Sequence, residues 1–260
     1  MSKPVELEFH VGHYGDGTGA KKLVDEVQYA RKFIKRIYEI CVANKVPSTY
    51  YEDKASKNQT QNINNLVSHH NKDKNGLIVS GHLNSSTGIV VKSIGVEVLY
   101  YDQVAVAKKV TDAICNASGM TNRGAKKRTD LGVLARTYEP AIIIEFGFVN
   151  SRKDVELMDK HFEAICQAAA EVLAAAIGYN IKTTNIDKND GTASNALKLS
   201  TESLKVKVEA LLNDNKKQRE CIQKAIAVGA CQAIWLERFD KGEMAKHDIL
   251  GIAALYLQVK

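Results

Sequence analysis

The fold is decided by VELEFHVGHYGDGTGA (Val5–Ala20) and the segment that follows it, KKLVDEVQYARKFIKRIYEICVAN (Lys21–Asn44). The first stretch is an apolar run that ends in a glycine-rich turn, which indicates a buried strand. The second stretch repeats apolar residues at the spacing of one helical face. These residues are Leu23, Val27, Ala30, Ile34, Ile37 and Cys41. A strand, a glycine-rich turn and an amphipathic helix in this order predict an α/β fold.

Apolar runs and helical patterns continue to alternate beyond this point, which is typical of an α/β domain. Further strands are predicted at 46–53, 76–82, 95–101 and 141–148, and further helices at 58–71, 102–118 and 150–178. The stretch Asn122–Arg136 is interpreted as a basic loop. The predicted fold class is therefore α/β, with a twisted, mostly parallel sheet flanked by helices and a small all-helical module at the C-terminal end.

Composition changes at TTNIDKNDGTASN (Thr183–Asn195), which has no packable apolar pattern and is rich in turn formers. We predict one large domain over residues 1–180, a linker over 181–196 and a helical module over 197–260. In the module, an apolar seam at heptad spacing needs partner helices. Its members are Ile222, Ile226, Gly229, Ala233 and Leu236.

The composition of the 260 residues is that of an ordinary globular protein, with a net charge of +6. The positive charge favours association with anionic polymers. No block of Lys and Arg is interleaved with aromatic residues, so we expect no nucleic-acid binding. The five cysteines are scattered and predict no disulfide framework.

Two segments could be mistaken for membrane or export signals. Glu6 and Glu8 interrupt the N-terminal apolar run, so it does not resemble a signal peptide. The alanine-rich stretch Ala164–Ile177 contains Gln167 and Glu171 and is too short for a membrane span. We therefore expect no membrane insertion and no export by the general secretory route.

Four residues stand where metal chemistry is favoured. His13, His82 and Glu145 each end an apolar run, and Glu26 opens the first helix. Ligands of open α/β sheets gather outside the carboxyl ends of the strands. Catalytic zinc requires three nitrogen or oxygen ligands, an open position for water and a nearby carboxylate. Two histidines and two glutamates meet that requirement, and they predict a metal-dependent hydrolase.

Glu145 follows three isoleucines in a strand that is apolar on both faces. An unpaired charge there is costly, so the carboxylate must be paired, bound to a metal or shifted in pKa. It is either a general base or the partner of a loop arginine, and the sequence leaves both open. The arginines are Arg123, Arg128 and Arg136.

Glu26 shares a helical face with apolar neighbours, so it points inward, whereas Asp25 fits the role of an acid that complements the helix dipole. Alternation places His10 inside the first strand and His13 beyond its end. The remaining histidines are interpreted as ordinary core or surface residues. They are His69, His70, His161 and His247.

The glycine-rich turn has a competing interpretation. Gly15, Gly17 and Ala20 match a loose GxGxxA dinucleotide-binding pattern between a strand and a helix. This would make the chain a nucleotide-dependent oxidoreductase, but it leaves His82 and Glu145 unexplained.

The motifs GHYGDGTGA, LVDEVQYA, SGHLNSS followed by GVEVLYY, and EFGFVN occur in this order between Val5 and Ile177. Together they resemble the zinc-dependent N-acetylmuramoyl-L-alanine amidases of the amidase_3 type, which cleave bacterial peptidoglycan. The resemblance implies that one Zn²⁺ is bound by His13, Glu26 and His82, with Glu145 as the catalytic carboxylate.

The chain departs from the family pattern in the first and second motifs. His10 and Val11 replace the usual acidic residue and proline, Tyr14 stands where a glycine is common, and Gly81 replaces an apolar residue. These differences affect the expected rim of the cleft more than the metal site.

The resemblance implies hydrolysis of the amide between the lactyl group of N-acetylmuramic acid and the L-alanine of the stem peptide. Asn84, Arg123 and Arg136 are the candidate substrate contacts. A non-catalytic wall-binding protein is an alternative of another class.

A catalytic domain, a linker and a small module without a signal peptide resemble a phage or prophage endolysin that causes lysis of a Gram-positive cell. Such an enzyme would accumulate in the host cytoplasm and reach the wall when a holin opens the membrane. A bacterial autolysin of the same activity is the close alternative. The C-terminal module would then bind a secondary wall polymer, and formation of a homodimer through its helices is the competing role.

Overall fold

The computed structural model describes residues 4–181, 211–227, 234–242, 244, 249 and 252–253. The chain divides into two compact units, Met1–Asp187 and Lys188–Lys260. The predicted linker Thr183–Asn195 lies outside the described residues.

The first unit contains a six-stranded sheet. Its strands are β1 (Glu6–Val11), β2 (Ser48–Tyr51), β3 (Gly76–Asn84), β4 (Val96–Tyr100), β5 (Asn122–Lys127) and β6 (Ala141–Phe148). The order across the sheet is β2-β1-β3-β6-β4-β5. Neighbouring strands are parallel except for β4 and β6, which are antiparallel. The predicted α/β class with a mostly parallel sheet is confirmed.

Helices cover both faces of this sheet. They are α1 (Glu26–Ala43), α2 (Gln59–His70), α3 (Val104–Ser118), α4 (Gly132–Arg136), α5 (Arg152–Lys160) and α6 (Phe162–Ala176). The larger core lies between the sheet and α1, α3 and α6, and the smaller one lies under α2 and α4. In β6, Ile142 and Ile144 enter the larger core and Ile143 the smaller one. Burial on both faces explains the continuous apolar run.

Glu26, one of the candidate metal ligands, lies at the N-terminus of α1. Asp25 is the N-cap, and its side chain accepts hydrogen bonds from the amides of Val27 and Gln28. Capping satisfies amide groups that the first helical turn leaves without partners. Glu26 is therefore the first helical residue, as predicted, while Leu23 lies before the helix.

Two sequence-based predictions of local structure were wrong. The basic stretch Asn122–Arg136 is not a loop, because it contains β5 and α4. β5 lies at the edge of the sheet, where charged side chains are tolerated, so it lacks the apolar alternation that would have revealed it. The predicted helix 150–178 is two helices, with the break at His161, whose backbone (φ −110, ψ 20) leaves the helical region.

A buried carboxylate joins the end of β6 to the loop before β4. Asp154 is fully buried and follows the N-cap of α5, Ser151, by three residues. It accepts four hydrogen bonds, from the Ser93 hydroxyl and from the amides of Ile94, Gly95 and Phe148. This network fixes the loop that leads into β4.

Asp154→Ala is expected to lower the free energy of unfolding by about 3–5 kcal/mol, because it leaves several buried donors without an acceptor. Urea denaturation measures the change. Glu156→Ala, in the same helix, removes an exposed pair with Lys153 and should leave the free energy of unfolding nearly unchanged. Equal effects of the two substitutions would refute the structural role of Asp154.

The second unit contains the helices α7 (Asn215–Ala227) and α8 (Ile234–Asp240). Four apolar residues form its small core, namely Ile222, Ala225, Ile249 and Ile252. The Arg219 guanidinium donates to both carboxylate oxygens of Asp240, at 2.8 and 2.9 Å. Of the predicted seam, Ile222 belongs to this core and Ile226 and Leu236 pack against it, partly buried. Gly229 and Ala233 lie outside the described residues.

Across the described part of the chain, no helix combines the length and the hydropathy needed to cross a bilayer.

Candidate metal centre

Three predicted ligands meet at the carboxyl ends of β1 and β3. His13 lies in the turn after β1, His82 lies near the end of β3, and Glu26 begins α1. Glu26 Oε1 is 2.9 Å from His13 Nε2 and 3.0 Å from His82 Nδ1. One carboxylate oxygen therefore contacts both imidazoles.

The donor set of this cluster suits a metal ion. The potential ligand atoms of His13, Glu26 and His82 all lie within 4.8 Å of one another. Burial opposes ionisation of Glu26, but hydrogen bonds with His13 and His82 outweigh it and lower the pKa of its carboxyl group. Burial likewise opposes protonation of His13, yet Glu26 raises its pKa. Two imidazoles and an ionised carboxylate are ligands that zinc accepts.

The glycine-rich turn holds this cluster together. Ala20 donates its amide to Glu26 Oε2 at 2.7 Å, and the Asn62 side chain donates to the His13 carbonyl at 3.1 Å. A Cβ on Gly19 would lie 2.7 Å from Glu26 Oε2, so only glycine allows this close approach. The turn thus encloses the carboxylate of Glu26, and the dinucleotide alternative based on Gly15, Gly17 and Ala20 gains no support.

Gly12 provides a test of this packing. A Cβ at this position would lie 2.2 Å from Cε1 and Nε2 of His82. Gly12→Ala is therefore expected to displace the imidazole, to lower the free energy of unfolding by about 1–3 kcal/mol and to weaken metal binding. Calorimetric titration with Zn²⁺ and urea denaturation measure the two effects.

Gly147→Ala is the matched control, since its nearest neighbour is the flexible Met158 sulfur at 3.2 Å, away from the cluster. It should leave metal affinity unchanged. If the Gly12→Ala variant bound Zn²⁺ as tightly as the Gly147→Ala variant, metal binding would not depend on the position of the His82 imidazole.

Glu145 lies on β6 beside this cluster, with its Cα paired to that of His82 on β3. The residue is partly exposed, yet its Oε2 is buried and has no hydrogen-bond partner within the part of the chain that the structure describes. Burial, followed by the carboxylates of Glu26 and Glu97, raises the pKa of Glu145 to about 8 against the opposing charge of Arg128. A cation held nearby would favour the ionised form.

None of the three arginines considered from the sequence forms an ion pair with Glu145. Arg123 donates to Glu97, Arg128 pairs with Asp130, and Arg136 donates to Asn64 in α2. The interpretation of Glu145 as the partner of a loop arginine therefore gains no support from these contacts.

Glu97 is a buried acid that sequence reasoning missed. It lies on β4 directly opposite Glu145. Its oxygens accept from Asn84 at 3.0 Å, from Arg123 at 2.6 Å and from Lys126 at 2.5 Å. The pattern GVEVLYY held the signal, because an acid at Glu97 interrupts a strand that is otherwise apolar.

The three candidate substrate contacts are not all brought to the same place. Asn84 and Arg123 meet at Glu97, beside Glu145. Arg136 lies at the end of α4 and contacts α2, and among the described residues it makes no hydrogen bond with the cluster. Its role as a substrate contact therefore gains no support from its position.

A sequence model described as N-acetylmuramoyl-L-alanine amidase matches residues 10–179, which is more than half of the chain. The chain belongs to this amidase family. The matched span contains the three predicted ligands, His13, Glu26 and His82, and the predicted catalytic carboxylate, Glu145. No curated protein matches the chain by sequence.

Solved amidase structures share the fold of the first unit. The catalytic domain of the CD27L endolysin targeting Clostridia difficile has 24% identity and a TM-score of 0.59, covering 68% of this chain and 99% of its own. AmiC2 amidase of Nostoc punctiforme has 24% identity and a TM-score of 0.55, covering 67% of this chain and 98% of its own. The catalytic domain of CwlV amidase from Bacillus (Paenibacillus) polymyxa has 22% identity and a TM-score of 0.54, covering 65% and 97%.

Proposed function

We propose that this member of the amidase family is a zinc-dependent hydrolase of peptidoglycan. It cleaves the amide between the lactyl group of N-acetylmuramic acid and the L-alanine of the stem peptide. The observation that carries this proposal is the convergence of His13, Glu26 and His82 beside the unpaired carboxylate of Glu145.

His13, Glu26 and His82 would hold one Zn²⁺ for each catalytic domain. The fit rests on two imidazoles that contact one ionised carboxylate oxygen, to which no lysine or arginine of the described residues is bonded. When bound, zinc supplies Lewis-acid polarisation of the scissile carbonyl and lowers the pKa of water. Gln59 contacts His13 Nδ1 at 3.3 Å and would orient this ligand.

Glu145 is proposed as the group that moves the proton. Its buried Oε2 has no partner, so it can accept a proton from the attacking water. The water oxygen bonds to the amide carbon, the carbon–nitrogen bond breaks, and the same carboxyl returns the proton to the leaving nitrogen. The products are the lactyl carboxylic acid and a stem peptide with a free L-alanine amine.

Asn84 and Arg123 are proposed as substrate contacts at the rim of this site. Both are bonded to Glu97, which holds their side chains near Glu145. Arg123 also lies with its guanidinium carbon 5.0 Å from the centre of the Phe148 ring. An anchored donor next to the reacting carboxyl can fix the orientation of a peptide or a sugar.

The products test the function. Purified sacculi digested by the enzyme should release stem peptides whose N-terminal L-alanine has a free amino group. The remaining glycan should carry lactyl groups with a free carboxyl group. Mass spectrometry of the soluble products detects both. Release of disaccharide peptides, or cleavage within the stem, would show another peptidoglycan activity and would contradict the proposal.

The C-terminal module is proposed to bind a secondary polymer of a Gram-positive wall. Its support is the separate small core of Ile222, Ala225, Ile249 and Ile252 and the positive net charge of the chain. A chain that ends at Ala196 should sediment with purified sacculi at least about tenfold less than the full chain, because one of two wall contacts is lost.

Light scattering of the two chains provides the control for oligomeric state. If the full chain were a homodimer and the truncated chain bound sacculi equally well, the module would serve dimerisation.

We further propose that the enzyme acts in lysis of a host cell, as the resemblance to endolysins implies. In this role it collects in the cytoplasm and reaches the wall through a holin. Expression in a Gram-positive host should lyse the culture only when a holin is co-expressed. Lysis without a holin would favour the role of a bacterial autolysin.

A further inference from the structure

A second group of metal-ligand side chains lies at the opposite end of the sheet from the first. Glu8 is in β1, His70 ends α2, and Glu139 precedes β6. The three residues are 6%, 1% and 4% exposed. Their potential ligand atoms all lie within 4.8 Å of one another, and His70 Nδ1 is 2.5 Å from Glu8 Oε2.

Two carboxyl groups share this buried site, and among the described residues no lysine or arginine pairs with either of them, so that His70 is the basic group in contact with Glu8. Burial, reinforced by Asp73, raises the pKa of Glu8 to about 7, and burial also raises that of Glu139 to about 7. Glu139 Oε2 is buried and has no hydrogen-bond partner among the described residues. Buried carboxylates without a lysine or arginine partner are costly to ionise, and a divalent cation would neutralise both of them.

His70 is in the state that a metal ligand requires. Burial lowers its pKa to about 4, so the ring is neutral. Its Nε2 lies 2.9 Å from His10 Nδ1, a contact that would fix the ring and leave Nδ1 facing Glu8. Metal-bound histidines commonly use their second nitrogen in this way.

The two carboxylates are also held in place. The amide of Gly76 donates to Glu139 Oε1 at 2.7 Å, which leaves Oε2 as the free ligand atom. A Cβ at Gly76 would lie 2.5 Å from Glu8 Oε1, so glycine makes room for this carboxylate.

An acidic cluster that reaches the surface adjoins the group. Glu6, Glu8 and Asp73 also have ligand atoms within 4.8 Å of one another. Asp73 is exposed and Glu6 is partly exposed. Glu8 therefore belongs both to the buried group and to an acidic surface that attracts cations.

We propose that Glu8, His70 and Glu139 form a second, structural metal site for a divalent cation with mixed nitrogen and oxygen ligands, Zn²⁺ or Mn²⁺. One imidazole and two carboxylates suit these ions. The bound ion joins β1, the end of α2 and the segment before β6, and so it stabilises the fold. The site does not depend on the proposed amidase activity, because it shares no residue with the first centre.

The test uses the full-length chain with His13→Ala and His82→Ala, which removes the first centre. The metal-free protein is titrated separately with Zn²⁺ and Mn²⁺, and bound metal is counted by plasma mass spectrometry after desalting. We expect one ion per chain. At a metal concentration about a hundred times the Kd, the midpoint of thermal unfolding should rise by about 5–10 °C.

Adding Glu139→Gln to this chain should weaken binding at least about a hundredfold and abolish the thermal shift. Glutamine keeps the acceptor for the Gly76 amide, and circular dichroism checks that the variant folds. Glu8→Gln gives a second, independent removal of a ligand, and Glu163→Gln on the exposed surface of α6 is the control that should change nothing.

Absence of a bound ion in the double variant would overturn the proposal and would assign a shared proton to the two carboxyls. Binding that survives both Glu139→Gln and Glu8→Gln would overturn it as well, because the ion would then lie elsewhere.

Discussion

Replacing Glu145 by glutamine is expected to lower turnover by about 10²–10⁴-fold, which is the typical contribution of a general base. The amide is nearly the same size as the carboxylate, but it cannot accept the proton of the attacking water. Because Glu145 Oε2 has no hydrogen-bond partner and Arg123, Arg128 and Arg136 bond elsewhere, the substitution breaks no ion pair among the described residues. Fold and metal content should therefore persist.

The measurement is the initial rate of release of L-alanine amino groups from purified peptidoglycan, with metal content determined on the same samples. Glu163→Gln, an exposed glutamate that pairs with Arg36, should retain full activity. A Glu145→Gln enzyme with near-normal turnover would show that the carboxylate is structural.

Removal of the metal is expected to abolish activity. Lewis-acid catalysis contributes several kcal/mol to the transition state, so a chelator should reduce turnover by at least about a thousandfold. Added Zn²⁺ should restore the wild-type enzyme. It should not restore the activity of the His82→Ala variant, because Glu26 and His13 alone offer too few ligands for a catalytic zinc site.

Rates measured after chelation and after stepwise addition of Zn²⁺ provide the check. His161→Ala, at the junction of α5 and α6, removes a histidine that is not part of the cluster and should recover as the wild type does. Full recovery of His82→Ala at stoichiometric zinc would exclude this histidine as a ligand.

The main features of the sheet and of the His13, Glu26 and His82 cluster could be predicted because they depend on local sequence patterns. Apolar runs indicated the strands, and the carboxyl ends of parallel strands must lie at one edge of a sheet. His82 and Glu145 follow from this rule, and their Cα atoms are indeed paired across β3 and β6. Glu26 follows from the helical face of α1 and from its cap, Asp25.

The rest depends on contacts between distant segments, which a local pattern does not contain. The pairing of Glu97 with Glu145 requires that β4 run antiparallel to β6. β5 has no apolar alternation. Its basic residues Arg123 and Lys126 are instead accommodated by ion pairs with Glu97 on the neighbouring strand β4. The β-strand propensity of the residues alone cannot predict which strands will pair.

The buried group of Glu8, His70 and Glu139 was hidden for the same reason. In the sequence, Glu8 only interrupts an apolar run and His70 has the pattern of an ordinary core or surface residue. The structure brings them together across 62 positions of sequence. His10 replaces the acidic residue expected from the family pattern, and its ring now contacts His70, so this departure belongs to the buried group and not to the rim of the cleft.

The central claim is that His13, Glu26 and His82 hold the catalytic zinc. Anomalous scattering from crystals of the zinc-loaded enzyme, collected on both sides of the zinc absorption edge, tests it most directly. The account predicts a strong zinc peak among His13 Nε2, Glu26 and His82 Nδ1, with Glu145 next to it and not bound to it. Zinc-loaded crystals without a peak at these three residues, in an enzyme that still hydrolyses peptidoglycan, would contradict it.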